Sequence, residues 1–114
     1  MTIRELRKCA HGWQVALGLT EWKLTVAWGK PAADPNPARL EMSEDCEGNA
    51  WWFTEDSHAL ILIRRRCTEP EETLVHELLH VLIEGHRAAP ARYDPLYERA
   101  INKLTAALVT KWNS

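Results

Sequence analysis

The chain has 114 residues, enough for one domain with one hydrophobic core. Hydrophobic types make up 46% and charged types 26%, which excludes a disordered chain, and 5 glycines with 6 prolines are too few for a collagen-like or linker-dominated one. Fourteen basic against sixteen acidic side chains leave a net charge of −2, so nucleic acid is not an expected partner, although Arg64-Arg65-Arg66 forms a local basic cluster that reads as solvated surface.

Residues 2–18 read as an amphipathic helix. Thr2 and Glu5 have capping-box spacing, and Ile3, Leu6, Ala10, Trp13 and Leu17 recur at helical intervals before Gly18 ends the run. In 22–28, WKLTVAW, the large apolar residues alternate as in a half-buried strand. The segment 29–37, GKPAADPNP, reads as a connecting loop, and 38–46 fits either a short strand or irregular chain. Two more strands are expected at 49–53 and 59–64, joined by the turn TEDSH.

The second half is helical. Thr68-Glu69-Pro70-Glu71 combines capping-box spacing, an early proline and acidic residues where the helix dipole favours them, predicting a helix from about 69 to 84 that stops at Gly85. Asp94-Pro95 starts a last helix that continues to about Trp112. The predicted fold is α+β and a single domain over 1–114. It has an N-terminal helix, a small, mainly antiparallel sheet of three to four strands, then two helices, with the six tryptophans helping to fill the core.

No stretch approaches the ~20 apolar residues of a membrane span. The N-terminus carries charges where a signal peptide needs its apolar run. Cys9, Cys46 and Cys67 are odd in number and form no C-x-x-C pair, and neither Cys9 nor Cys67 has a neighbour suggesting nucleophile chemistry. A cytoplasmic protein without a disulfide framework or a membrane partner is expected.

The chemistry lies in the second helix, in His76-Glu77-Leu78-Leu79-His80. Four residues of helix bring the two imidazoles one above the other, ~6 Å apart along the axis. His76, His80, Thr73, Glu84 and Glu77 share a wedge of about 100°, while Leu74, Val75, Leu78, Leu79, Val81, Leu82 and Ile83 take the rest of the circumference. Such a helix is expected to be buried, with one polar strip holding both histidines. Two stacked imidazoles can grip one Zn²⁺, with Glu77 beside them to take a proton from its water. The competing reading is a strip that merely faces water.

A catalytic zinc normally has three protein ligands. His86 stands ten residues after His76, a spacing that resembles the metzincin pattern HExxHxxGxxH, but position 83 is isoleucine where that pattern has its helix-breaking glycine, and a continuing helix would turn His86 into the apolar arc. Glu98 is the stronger candidate. It falls on the inward stripe of the last helix with Tyr97, Ile101, Leu104, Leu108, Val109 and Trp112, where a carboxylate needs a partner.

TLVHELLHVLIEGH followed by DPLYERAINKLTAAL resembles the gluzincin arrangement, an HExxH helix followed by a helix bearing a glutamate ligand. The small size and Trp-rich strand are similar to minigluzincins and to compact phage and bacterial ImmA/IrrE-like metallopeptidases. The resemblance, over roughly residues 20–112, implies a zinc metallopeptidase with His76, His80 and Glu98 as metal ligands and Glu77 as general base. An extended peptide substrate would then add to an edge of the 49–64 hairpin. Tyr93, Tyr97, His58 and His86 are all open as transition-state donors. The alternative function is a zinc-stabilised regulatory or binding module of phage-like type with little or no hydrolysis. A DNA-associated metalloprotease of the SprT kind would want a more basic surface and a third histidine.

Overall fold

The computed structural model describes residues 1–29, 47–87 and 94–114. Helix α1 spans Ile3–Ala16, and its capping box forms as expected: Thr2 Oγ1 accepts from the Glu5 amide while the Glu5 carboxylate accepts from that of Thr2. The helix closes at Gly18, whose φ of +71° favours glycine. The Gly18 and Leu19 amides then bond the carbonyls of Val15 and Gln14, so the last turn loses few hydrogen bonds. Leu6, Ala10 and Trp13 form the buried face.

Strands β1 (Lys23–Gly29), β2 (Gly48–Phe53) and β3 (His58–Arg64) form a sheet in the order β1-β3-β2. β2 and β3 make the antiparallel hairpin expected around 54–57, with Trp51 opposite Leu60. β1 instead runs parallel to β3, from Lys23 opposite His58 to Gly29 opposite Arg64, so the sheet is mixed rather than mainly antiparallel. The central place of β3 has a local cause. Its unbroken run ALILI suits a strand flanked on both sides, and Ala59, Ile61 and Ile63 are fully buried. With β2 tied to one side by a tight turn, β1 fills the other. Three strands are present among the described residues; segment 38–46 and all but the first residue of the 29–37 loop lie outside them, as does Cys46.

Helix α2 (Pro70–Glu84) lies over β2 and β3, α1 lies against β1 and α2, and α3 (Pro95–Trp112) packs on α2. Leu74, Val75, Leu78, Leu79 and Val81 are buried, but Leu82 and Ile83 are exposed. The apolar arc of α2 is therefore wider than the face it buries. Trp13 and Trp52 sit in the core, whereas Trp112 is half exposed and stacks on Trp13 at 4.6 Å. Arg64 departs from the solvated-cluster expectation. It is 5% exposed at the end of the central strand, and Arg65 and Arg66 face water. No helix among the described residues is long and apolar enough to cross a membrane.

The capping box expected at α2 does not form, because the N-cap is Glu69, without a side-chain cap bond. Glu71 is engaged elsewhere: its carboxylate accepts from Trp13 Nε1 at 2.9 Å, Cys9 Sγ at 3.2 Å and Asn113 Nδ2 at 2.7 Å. One side chain thus joins α1, α2 and the end of α3. Partial burial disfavours its charge, but the three donors outweigh that and hold its pKa below the usual carboxylate range. Burial and the neighbouring Glu71 push the Cys9 thiol up to about 12, so it is no nucleophile, and both Cys9 and Cys67 are free thiols.

A depressed folded-state pKa contributes stability above the unfolded carboxylate range, and that contribution is lost as pH falls through the folded value. Glu71→Ala should therefore cost roughly 1–2 kcal/mol at pH 7 and less at pH 3. Urea unfolding at both values measures this. Equal losses would show that the charge of Glu71 is not what binds the helices together.

Candidate metal centre

Two helix ends set the geometry. At the start of α3, Asp94 accepts from the amides of Leu96 and Tyr97, and Pro95 occupies the first turn, so the direction of that turn is fixed. At the end of α2, Gly85 has φ −61°, so no left-handed turn is involved. Glycine is needed there for space: a Cβ would strike the Val81 carbonyl oxygen and lie 2.8 Å from the Trp22 ring. Gly48 serves β2 in the same way, since a Cβ there would come within 2.6 Å of Thr73 on α2.

His76 and His80 from α2 meet Glu98 from α3. Glu98 Oε2 lies 3.2 Å from His76 Nε2, Glu98 Oε1 lies 3.1 Å from His80 Nε2, and the two Nε2 atoms are 3.2 Å apart. One ligand atom from each residue falls within 4.8 Å of the others. Imidazole nitrogens and carboxylate oxygens crowded this closely have lone pairs that only protons or a shared cation can satisfy. The donor set, two nitrogens and a carboxylate, fits zinc better than magnesium or calcium.

Burial, then the adjacent His80, lowers the pKa of His76 against the opposing pull of Glu98 and Asn102. That favours the neutral, metal-binding imidazole. Glu77 follows His76 in sequence, lines the same cleft and is only 8% exposed. Burial pushes its carboxyl up to about 7; His80 opposes the shift, and Glu98 and Glu84 add to it.

These groups line a cleft of about 680 Å³ between α2, α3 and β2, with Gly48, Asn49, Ala50 and Trp52 supplying the strand wall. Its described lining includes Glu47, Glu72, Glu77, Glu84, Asp94 and Glu98, and no lysine or arginine. The resulting negative potential attracts cations.

Among the proposed donors, Tyr97 lies in the cleft wall, but its hydroxyl donates to Glu84 Oε2 at 3.1 Å. Burial, then Glu84, pushes the phenol up to about 12, so it stays protonated. His58 instead bonds Thr25 Oγ1 at 2.9 Å across the β1–β3 pair, and it does not line the cleft. His86 follows Gly85, is exposed and stands apart from the converging group. Tyr93 lies outside the described residues.

Helical spacing alone puts Glu84 on the polar wedge without a role, and it does not single out Asn102. In the structure Glu84 Oε2 is 2.7 Å from His80 Nδ1, and Asn102 bonds His76. A signal for Glu84 does exist in the spacing, since it stands four residues after His80; Asn102 meets His76 from another helix, and no local spacing marks that. No protein family model, curated protein or solved structure matches this chain. Side-chain geometry therefore carries the functional conclusion.

Proposed function

We propose that the protein is a zinc-dependent metallopeptidase of gluzincin type, with His76, His80 and Glu98 as ligands and Glu77 as general base. One observation carries this reading: three ligand atoms from two helices lie within 4.8 Å of one another, beside a carboxyl held near neutrality. Bound zinc would polarise a peptide carbonyl and acidify a water molecule. Glu77, with a carboxyl poised at about 7, suits transfer of a proton from that water to the leaving amine. The substrate would lie extended along the outer edge of β2. β3 is paired on both sides, and β2 has no partner on its outer side among the described residues. The free thiols of Cys9 and Cys67 support a reducing, cytoplasmic setting as part of the same reading.

One feature favours a second reading, a zinc-stabilised regulatory or binding module with little hydrolysis. Tyr97, the one described donor candidate that lines the cleft, has its hydroxyl engaged by Glu84. One measurement tests what these proposals share, and a second separates them. About one equivalent of zinc should co-purify under either, and chelation should lower the melting temperature because the metal ties α2 to α3. Cleavage of a quenched peptide library then belongs to the peptidase alone. A metal-free protein with no micromolar or tighter zinc affinity would end both.

A further inference from the structure

The structure assigns a shared role to Glu84 and Tyr97, which together position His80 for the metal, so that Tyr97 is not the transition-state donor. The inference rests on the zinc reading above. Glu84 lies one helical turn beyond His80 and on the same face, so the two side chains meet without help from the rest of the fold. Its carboxylate is 6% exposed, with Oε2 at 2.7 Å from His80 Nδ1 and 3.1 Å from the Tyr97 hydroxyl.

A buried carboxylate oxygen at that distance needs a ring N–H, not a ring lone pair. Donation from Nδ1–H to Glu84 leaves the Nε2 lone pair of His80 for the metal, on the side of Glu98 Oε1 and His76 Nε2. The other tautomer would set two lone pairs against each other in a buried place and present an N–H where a ligand atom is required. Glu84 thus selects both the tautomer and the direction of the ring.

Tyr97 completes the arrangement from the second helix. Its ring centre lies 5.6 Å from that of His80, so it packs beside the imidazole while its hydroxyl holds the carboxylate that orients it. Its neighbour Glu98 reaches the ligand atoms directly. A single turn of α3, set by the Asp94 cap, therefore supplies one ligand and one support for another.

The test is zinc affinity by chelator competition, combined with the Nδ1–H proton resonance of His80 in the zinc-loaded wild type. That proton should lie far downfield and exchange slowly, as a bond to the Glu84 carboxylate requires. Glu84→Ala should weaken zinc about 10–100-fold, and Glu84→Gln, which still accepts from Nδ1–H, should recover part of that. Tyr97→Phe should weaken zinc several-fold, but add little in the Glu84→Ala background because both act through one carboxylate. An Nδ1–H that exchanges as freely as one in solvent, unchanged affinity in Glu84→Ala, or fully additive losses would overturn the assignment. If Glu84→Ala does not fold, the wild-type resonance and Tyr97→Phe decide. Wild-type protein with no zinc affinity sinks the metal reading itself, whereas wild-type affinity that Glu84→Ala leaves intact sinks only the positioning role.

Discussion

Glu77→Gln should lose peptide hydrolysis by about 10²–10⁴-fold while keeping its zinc. The glutamine has nearly the same shape but cannot take up a proton, and residue 77 is not among the converging ligand atoms. The same change should stabilise the metal-free protein at pH 8. A carboxyl whose folded-state pKa is raised favours the fold while protonated, and that advantage is lost as pH rises through about 7. Glutamine carries no charge to bury. Wild type should therefore lose stability relative to Glu77→Gln as pH rises from the ordinary carboxylate range through about 7, as read by urea midpoints at pH 4 and pH 8. Hydrolysis at the wild-type rate in the variant would remove Glu77 from the mechanism. A gain in stability with loss of activity would mark the residue as retained for chemistry.

The second large effect distinguishes the two candidate third ligands. Glu98→Ala should weaken zinc binding by more than the ~100-fold upper range typical of residues that only support ligands. His86→Ala should change it little. Glu98 has both oxygens within 3.2 Å of the histidine nitrogens, and its helix start is fixed by Asp94 and Pro95. His86 sits past Gly85 and is exposed. Chelator competition on the two variants ranks them directly. The reverse order would require a three-histidine site and end the gluzincin reading, while two small losses would leave water as the third ligand.

Local signals carried most of the architecture. Helix α3 runs over the span its Asp94-Pro95 start predicts, and the inward stripe containing Glu98 follows from that start alone. The stacked histidines likewise need nothing beyond helical geometry. What the sequence did not disclose depends on contacts between distant segments. The place of β1 beside β3 depends on which side of the apolar strand remains open after the hairpin forms, and its parallel direction is written in no local pattern. Glu71 had the spacing of a capping residue, yet Cys9, Trp13 and Asn113, from two other parts of the chain, offered it better hydrogen bonds. Glu84 has a visible partner four residues back, but Tyr97, which makes it a clamp, comes from another helix. Arg64 looked like one of three equivalent cations until the central strand drew it inward.

The two ends of α2 are gripped in different ways, with a consequence for how the site would meet its metal. At one end Glu71 is hydrogen-bonded to α1 and α3; at the other, Gly85 is wedged against Trp22. Held at both ends, the helix cannot roll about its own axis without breaking polar bonds or driving backbone into a ring. A roll of only ~20° would carry an imidazole nitrogen by roughly 2 Å, well beyond the ~0.5 Å tolerance of a working site. The histidines therefore stand in register before any ion arrives. Little of the binding free energy is then spent on reorganisation, and zinc capture should leave the backbone of α2 where it was.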